Sequence, residues 1–201
     1  MRSSDRERTL RLARRAQGVR PRELAEAGIH TQVLTRLVAD GEIERVSRGI
    51  YRLPDYPATE NHGLALVASA VPQGVVCLIS ALQFHEIGTQ LPHEVWLALD
   101  RRAWRPKLAY PPLRVVRYSG ESLTQGIEAH VIEGRQVKVY NVAKTLADCF
   151  KFRNKIGLDV ALEALREAWR EKRLKMDDLD HYAKICRVQW VMHPYVEAVV
   201  A

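Results

Sequence analysis

Glycines at positions 18, 28, 41 and 49 cut the front of the chain into segments too short to be stable as isolated helices or hairpins. Their apolar sides must therefore be buried against one another. Residues 5–17 carry Leu10, Ala13 and Ala16 on one side and Arg8, Arg11, Arg14 and Arg15 elsewhere, a helical pattern that Gly18 closes as the residue beyond the C-cap. Pro21 suits the first turn of a second helix, where its missing N–H would lack a partner anyway, and Leu24 and Ala25 supply the buried side before Gly28 stops it. Gly28-Ile29 reads as a tight turn into a third helix over residues 30–40. There Val33, Leu34, Leu37 and Val38 form one stripe. A rotation of about 100° per residue puts Gln32, Thr35 and Arg36 on the opposite face, with Thr31 exposed at its front. After Gly41, the β-rich arms 43–46 and 50–53 are joined across Ser47-Arg48-Gly49, which predicts a hairpin.

Three short helices followed by a basic hairpin is the order of a winged helix-turn-helix. It suits duplex DNA, because the third helix can enter the major groove while the hairpin reaches the backbone or minor groove. Gln32 has the donor–acceptor geometry for adenine, Arg36 can fork onto guanine or grip a phosphate, and Arg45 and Arg48 lie on the wing. Taken without that order, the same side chains would read as the solvated face of a surface helix. Repressor-type units favour a small residue four positions before the turn glycine, where this chain has Leu24; winged variants tolerate it. Basic charge is concentrated at the front, with net +4 over residues 1–56 against +3 over the much longer remainder.

The stretch LPDYPATEN, residues 53–61, reads as a short linker, so a DNA-binding domain over residues 1–56 is expected ahead of a larger α/β domain over 59–201. The rear part begins with a helix over 60–71, ended by Pro72 and Gly74, and a strand over 75–78. A further helix follows, whose capping box is Ser80 and Gln83, with Ile79 and Phe84 as its hydrophobic staple. Strands are expected at 94–99, 113–118, 129–132 and 137–140, with a basic, proline-rich loop over 101–112. Helices follow at 142–151, 158–172, 177–186 and 188–199, the last broken or restarted at Pro194. The expected fold class is α+β: an N-terminal winged helix-turn-helix plus a C-terminal α/β domain with a mixed sheet and a helical end.

Composition excludes several classes. With 47% hydrophobic residues, 11 Gly and 9 Pro, the chain is neither collagen-like nor of disordered composition. No apolar run approaches the roughly 18 to 20 residues of a membrane helix, the longest candidate, 64–71, being interrupted by Ser69. The opening MRSSDRERTLRLARR is charged where an export signal would be apolar. Cys77, Cys149 and Cys186 are odd in number, far apart and in no C-x-x-C pair, which argues against a disulfide framework and a zinc knuckle. The expected location is cytoplasmic.

A catalytic kit is not legible. Ser80 follows a strand and opens a helix but lacks the glycines of a nucleophile elbow, and capping explains it. The seven histidines, 30, 62, 85, 93, 130, 181 and 193, form no H-x-x-x-H or H-E-x-x-H pair. His85-Glu86 reads as a helix end. Glu133 and Lys138 could mimic part of a nuclease site, but no second acid stands at a suitable distance, and a charged hairpin turn accounts for them. Lys144 and Asp148, four apart on one helix, read as a surface ion pair of small value. Trp96, Trp169 and Trp190 read as core material. Trp104 stands apart, because Arg101, Arg102, Arg105 and Lys107 surround it in a loop that could hold an acidic partner or nucleic acid. No cofactor, metal site or catalytic residue is expected.

Three stretches together resemble a known family. They are the wing segment LVADGEIERVSRGIYRL (37–53), the helix segment LISALQFHEIG (78–88) and VYNVAKTLADCF (139–150). In this order they resemble the AbiEi-type antitoxins of type IV toxin–antitoxin, abortive-infection systems, also described as transcriptional regulators. The resemblance implies a winged helix that represses its own operon at inverted repeats in duplex DNA. It also implies a C-terminal domain that counters a nucleotidyltransferase-like toxin encoded alongside. Carried over by position, the DNA-binding candidates are Gln32, Thr35, Arg36, Arg45 and Arg48, to which the reading of the third helix adds Thr31 at its exposed front. The alternative is a nuclease-like enzyme that uses the front domain to find DNA, and the lack of an acidic cluster weighs against it.

Overall fold

The structure, a computed structural model, describes residues 4–15, 18–47, 49–54 and 59–200. Its contacts divide the chain into two units, residues 1–65 with 131–136, and residues 66–130 with 137–201. The fold is α+β.

In the first unit the short segments form α1 (Asp5–Arg15), α2 (Pro21–Glu26), α3 (Gln32–Ala39), β1 (Glu44–Ser47) and β2 (Ile50–Arg52). Asp5 and Glu7 place negative charge at the positive end of the α1 dipole. Pro21 opens α2 as expected, and Glu23 reaches back to accept from the Arg20 N–H at 2.8 Å. Gly28, at φ +69°, ends it in the left-handed region that an L side chain enters only with strain. Ala13, Val19, Leu24, Ile29, Leu34, Leu37 and Ile43 are buried together as one core. Leu24 is wholly buried there, which accounts for a large residue at that position. One feature lay outside the sequence reading: Val19 and Tyr51 exchange backbone hydrogen bonds of 2.7 and 3.0 Å, adding a third, one-residue strand to the wing. The same unit contains a two-residue turn, Glu133-Gly134, in which both residues have positive φ, 49° and 67°. Glu133 accepts from the Thr59 N–H at 3.1 Å and the Thr59 hydroxyl at 2.8 Å, and its other oxygen lies 2.6 Å from His62 Nδ1. Arg135 engages the Glu23 carboxylate and donates to the Gly18 carbonyl at 3.0 Å.

The remaining elements are α4 (His62–Ala70), β3 (Val75–Val76), α5 (Leu78–Phe84), β4 (Val95–Asp100), β5 (Leu113–Tyr118), α6 (Glu121–Thr124), β6 (Ile127–Ile132), β7 (Arg135–Tyr140), α7 (Val142–Lys151), α8 (Arg153–Ile156), α9 (Leu158–Arg170), α10 (Met176–Cys186) and α11 (Gln189–Val200). The strands form one sheet in the order β5-β4-β3-β7-β6. It is mixed: β3 runs antiparallel to β4 and parallel to β7, while β4 and β5 are parallel in register from Val95 opposite Leu113 to Asp100 opposite Tyr118. The helix α7 is begun by a side-chain cap, Asn141 accepting from the Lys144 N–H at 2.9 Å.

Four expectations are corrected here. Leu78 adopts φ 49°, so the strand ends at Val76 and the helix starts two residues before Ser80, with Cys77 at its N-cap. Ser80 instead ties α5 to β4, its Oγ accepting from the Trp96 N–H at 3.0 Å and donating to the Glu94 carbonyl at 3.4 Å. The expected break at Pro194 does not occur. The helix α11 runs through it, because the carbonyl that Pro194 leaves without an amide partner is that of Trp190, on an exposed stretch. Of the expected core tryptophans Trp96 is buried and Trp169 half-buried, but Trp190 is 88% exposed.

The fourth correction is the largest. Lys144 and Asp148 are not a surface pair: both side chains have no exposure, and Lys144 Nζ lies 2.5 Å from Asp148 Oδ2. Every residue from Ala143 to Phe150 is buried, so α7 is enclosed on all sides and has no solvated face for the pair to occupy. The ammonium also lies 4.1 Å from the Tyr140 ring and 5.0 Å from the Tyr118 ring. Gly126 makes room for it, since a Cβ there would stand 2.7 Å from Lys144 Cβ. Burial pushes the Asp148 carboxyl above its ordinary value, and the Lys144 ammonium works against that. Burial also pushes the Cys186 thiol up to about 12, so at neutral pH it is protonated and donates to Asp148 Oδ1 at 3.2 Å.

Two outcomes follow from these contacts. Lys144→Met leaves Asp148 buried without its counter-charge and should cost about 3–5 kcal/mol in denaturant unfolding, whereas Lys144→Met with Asp148→Leu should recover most of that. Equal losses in the single and double variants would show that charge balance is not what matters there. Burial alone would raise the Glu133 carboxyl, but hydrogen bonds from His62 and Thr59 outweigh it and hold the group below its ordinary value of 4.5. Its stabilising contribution is thus present above that value and lost as pH falls through the lower folded value. The stability advantage of the native chain over Glu133→Gln should shrink as pH drops from about 6 to 3. An advantage that grows instead contradicts the sign.

Candidate nucleic-acid interface

The helix α3 is held by its inward face. Leu34 and Leu37 are buried in the core of the first unit, with Val33 packed against them. Thr31, Gln32, Thr35 and Arg36 are all exposed. Gln32 and Arg36 are one turn apart, about 6 Å along the axis, and project from one face of the helix, with Thr35 on the same face to the other side of Gln32. Val38, expected on the inward stripe, sits at its rim at 37% exposure.

The electrostatics of this face are set by what surrounds it. Glu42, just after α3, is bridged by the Arg6 guanidinium, and Glu44 on β1 is paired with Arg52 across the hairpin. Those two carboxylates are already matched. The Arg36 guanidinium, by contrast, has no ion pair or hydrogen bond among the described residues. Arg45 is exposed on β1 opposite Tyr51, next to an irregularity in the register between Arg45 and Ser47. Arg48, expected at the hairpin tip, lies outside the described residues.

One residue escaped sequence reasoning. No side chain at Thr31 caps α3; the task falls to His30, whose Nδ1 accepts from the Gln32 N–H at 3.2 Å. His30 is exposed and fixes the backbone from which Gln32 projects. The signal was available, since His30 stands immediately after the turn, but histidine is not among the usual capping residues.

The enzyme candidates do not assemble. Among the described residues no three His, Cys, Asp or Glu side chains come together as metal ligands. The Glu133 carboxylate is occupied by Thr59 and His62, and Lys138 Nζ donates to the Pro72 carbonyl at 3.3 Å. His85 ends α5, as expected, and its Nε2 lies 2.7 Å from the Tyr140 carbonyl. All three cysteines are free and buried. Among the described residues no helix is long and apolar enough to cross a membrane.

No curated protein matches the chain. The resemblance read from the sequence is matched at the front, while the stretches 78–88 and 139–150 lie outside the matched segment. Residues 7–54, which carry the three helices and the wing, are similar to the family described as transcriptional regulator, AbiEi antitoxin.

Proposed function

We propose that the chain is a DNA-binding, autoregulatory antitoxin that represses its own operon and counters a nucleotidyltransferase-like toxin, and that it acts in the cytoplasm without an enzymatic activity of its own. The observation that carries this reading is the exposed face of α3, where Gln32, Thr35 and Arg36 share one exposed side and the Arg36 guanidinium has no protein partner among the described residues. The family similarity of residues 7–54 supports it. The helix α3 enters the major groove of an operator repeat, with Gln32 toward adenine and Arg36 toward guanine or a phosphate. Thr31, at the helix start, approaches the backbone, and Arg45 and Arg48 on the wing grip phosphates or a narrow minor groove. In this division residues 1–56 bind DNA and residues 59–201 carry the antitoxin action. Against the nuclease-like alternative stands the Glu133 carboxylate, which is taken up by Thr59 and His62.

Gln32→Ala and Arg36→Ala should each relax discrimination at particular base pairs by about 1–3 kcal/mol. Arg48→Ala should instead weaken operator and random DNA alike and flatten the salt dependence by about one counterion. Titrations on both DNAs at several salt concentrations separate the two behaviours. Unchanged binding after both Arg36→Ala and Arg48→Ala, in protein still folded, would remove the winged helix from the account.

The division of labour has its own check in the full chain. The Arg36→Ala, Arg48→Ala double variant should lose repression of a reporter driven by the operon's promoter yet still protect cells from the co-expressed toxin. Protection that disappears together with repression would place the antitoxin effect in transcription.

A further inference from the structure

The loop between β4 and β5 plays no part in the proposed function, and its chemistry is distinctive. Residues 101–117 include Arg101, Arg102, Arg105, Lys107, Arg114 and Arg117 and not one acidic residue. Arg114 is paired with Glu94 at 2.9 Å and lies over the Trp96 ring at 4.7 Å. No carboxylate pairs with the other five among the described residues. In their midst Trp104 is 94% exposed, and Tyr110 on the same loop is 59% exposed. A tryptophan gains more than almost any residue from burial, so a fully exposed one calls for a reason.

A loose loop would be one reason, but the approach to Trp104 is pinned. The Arg101 N–H donates to the Tyr118 carbonyl at 2.9 Å, and the Arg102 N–H to Asp100 Oδ1 at 2.8 Å. The Ala103 N–H donates to the Asp100 carbonyl at 3.0 Å. Arg117 Nη1 then bridges the Asp100 and Ala103 carbonyls, each at 2.8 Å. These bonds fix the turn against β5, the edge strand of the sheet, and hold the indole out from it. Beside the loop lies a hollow of about 430 Å³ lined by Glu94, Arg105, Leu113, Arg114, Val115 and Arg117.

The pattern discriminates between partners. A protein interface has a contiguous apolar centre depleted of charge, whereas here the aromatic rings are separate and interleaved with cations. On duplex DNA the base faces are stacked inside, where an indole cannot reach them. Cations that follow a backbone and aromatic rings on which bases stack are the arrangement that holds unpaired strands. We infer that the β4–β5 loop binds single-stranded nucleic acid, its phosphates on Arg101, Arg102, Arg105, Lys107 and Arg117 and its bases stacked on Trp104 and Tyr110. This is a second nucleic-acid surface, in the rear unit, and it stands on observations independent of α3.

The test uses the full chain carrying Arg36→Ala, so that α3 contributes little, and fluorescently labelled oligo-dT and oligo-U of about twelve nucleotides. Anisotropy at low salt should show binding that weakens steeply as salt rises. Trp104→Ala, which alters only an exposed side chain, should weaken binding by about five- to a hundredfold, and Tyr110→Ala should also weaken it. Arg102→Glu with Arg105→Glu should abolish it. Similar affinity for both strands assigns the site to single strands in general, and preference for oligo-U assigns it to RNA through its 2′-hydroxyl. Absence of binding at low salt, binding indifferent to Trp104→Ala, or equal competition by a duplex of the same length would overturn the inference. Binding of labelled polyglutamate with no affinity for either oligonucleotide would overturn it in favour of an acidic protein partner.

Discussion

Removing an ammonium and a carboxylate from water costs several kcal/mol each, and the rear unit does so at Lys144 and Asp148, side by side on its most enclosed helix. That cost is offset only if every charge-bearing atom has a partner, so much of the surrounding structure is specified by the pair. Tyr140 and Tyr118 present ring faces to the ammonium, Cys186 supplies a thiol proton to the second carboxylate oxygen, and Gly126 omits the side chain that would collide with the lysine stem. These groups come from β5, β7, α10 and the turn before β6. A misplaced element would leave a charge unpaired at the centre of the unit.

The first unit solves a different problem. Its helices are too short to persist alone, and its core, seven buried residues among those described, draws on all three helices and the approach to the wing. The polar contacts serve the same end: Arg6 on Glu42, Arg52 on Glu44 and the Val19–Tyr51 bridge hold the hairpin and the ends of the helices in place. Matching those carboxylates has an electrostatic consequence, since it leaves the cation of Arg36 without a counter-charge among the described residues on the exposed face of α3. Structural ion pairing and charge left over for a polyanion are two sides of one arrangement.

The two basic surfaces differ in the form of nucleic acid they suit. A regular helix presenting Gln32, Thr35 and Arg36 on one exposed face is the form proposed above to read base edges in a groove. The β4–β5 loop presents aromatic faces, which suit bases that are not paired. The helix α3 rests on the core of the first unit, and the start of the β4–β5 loop is bonded to the sheet edge.

Much of this was legible in the chain itself. Periodicity and punctuation located α2, α3, the wing arms, β5 and α7 with little error, because Gly28, Gly41, Pro21 and the alternating apolar residues act through local backbone sterics and one-sided burial. The exposed face of α3 followed from the same arithmetic, while the interest of Trp104 came from the cluster of basic residues around it in sequence. The failures share a cause. Lys144 and Asp148 at i,i+4 look the same on paper whether water or protein surrounds them, Ser80 has the spacing of a cap whether or not the chain turns at Leu78, and Trp190 carries no mark of being left outside. Sequence by itself determined most of the helices and strands and the inward residues Leu34 and Leu37 of α3, since those depend on neighbours within a few positions; it did not show α6, α8 or the exposure of Ala25. Only the tertiary structure decided which polar groups are desolvated, because burial is set by elements far apart in the chain that close around a site from every direction.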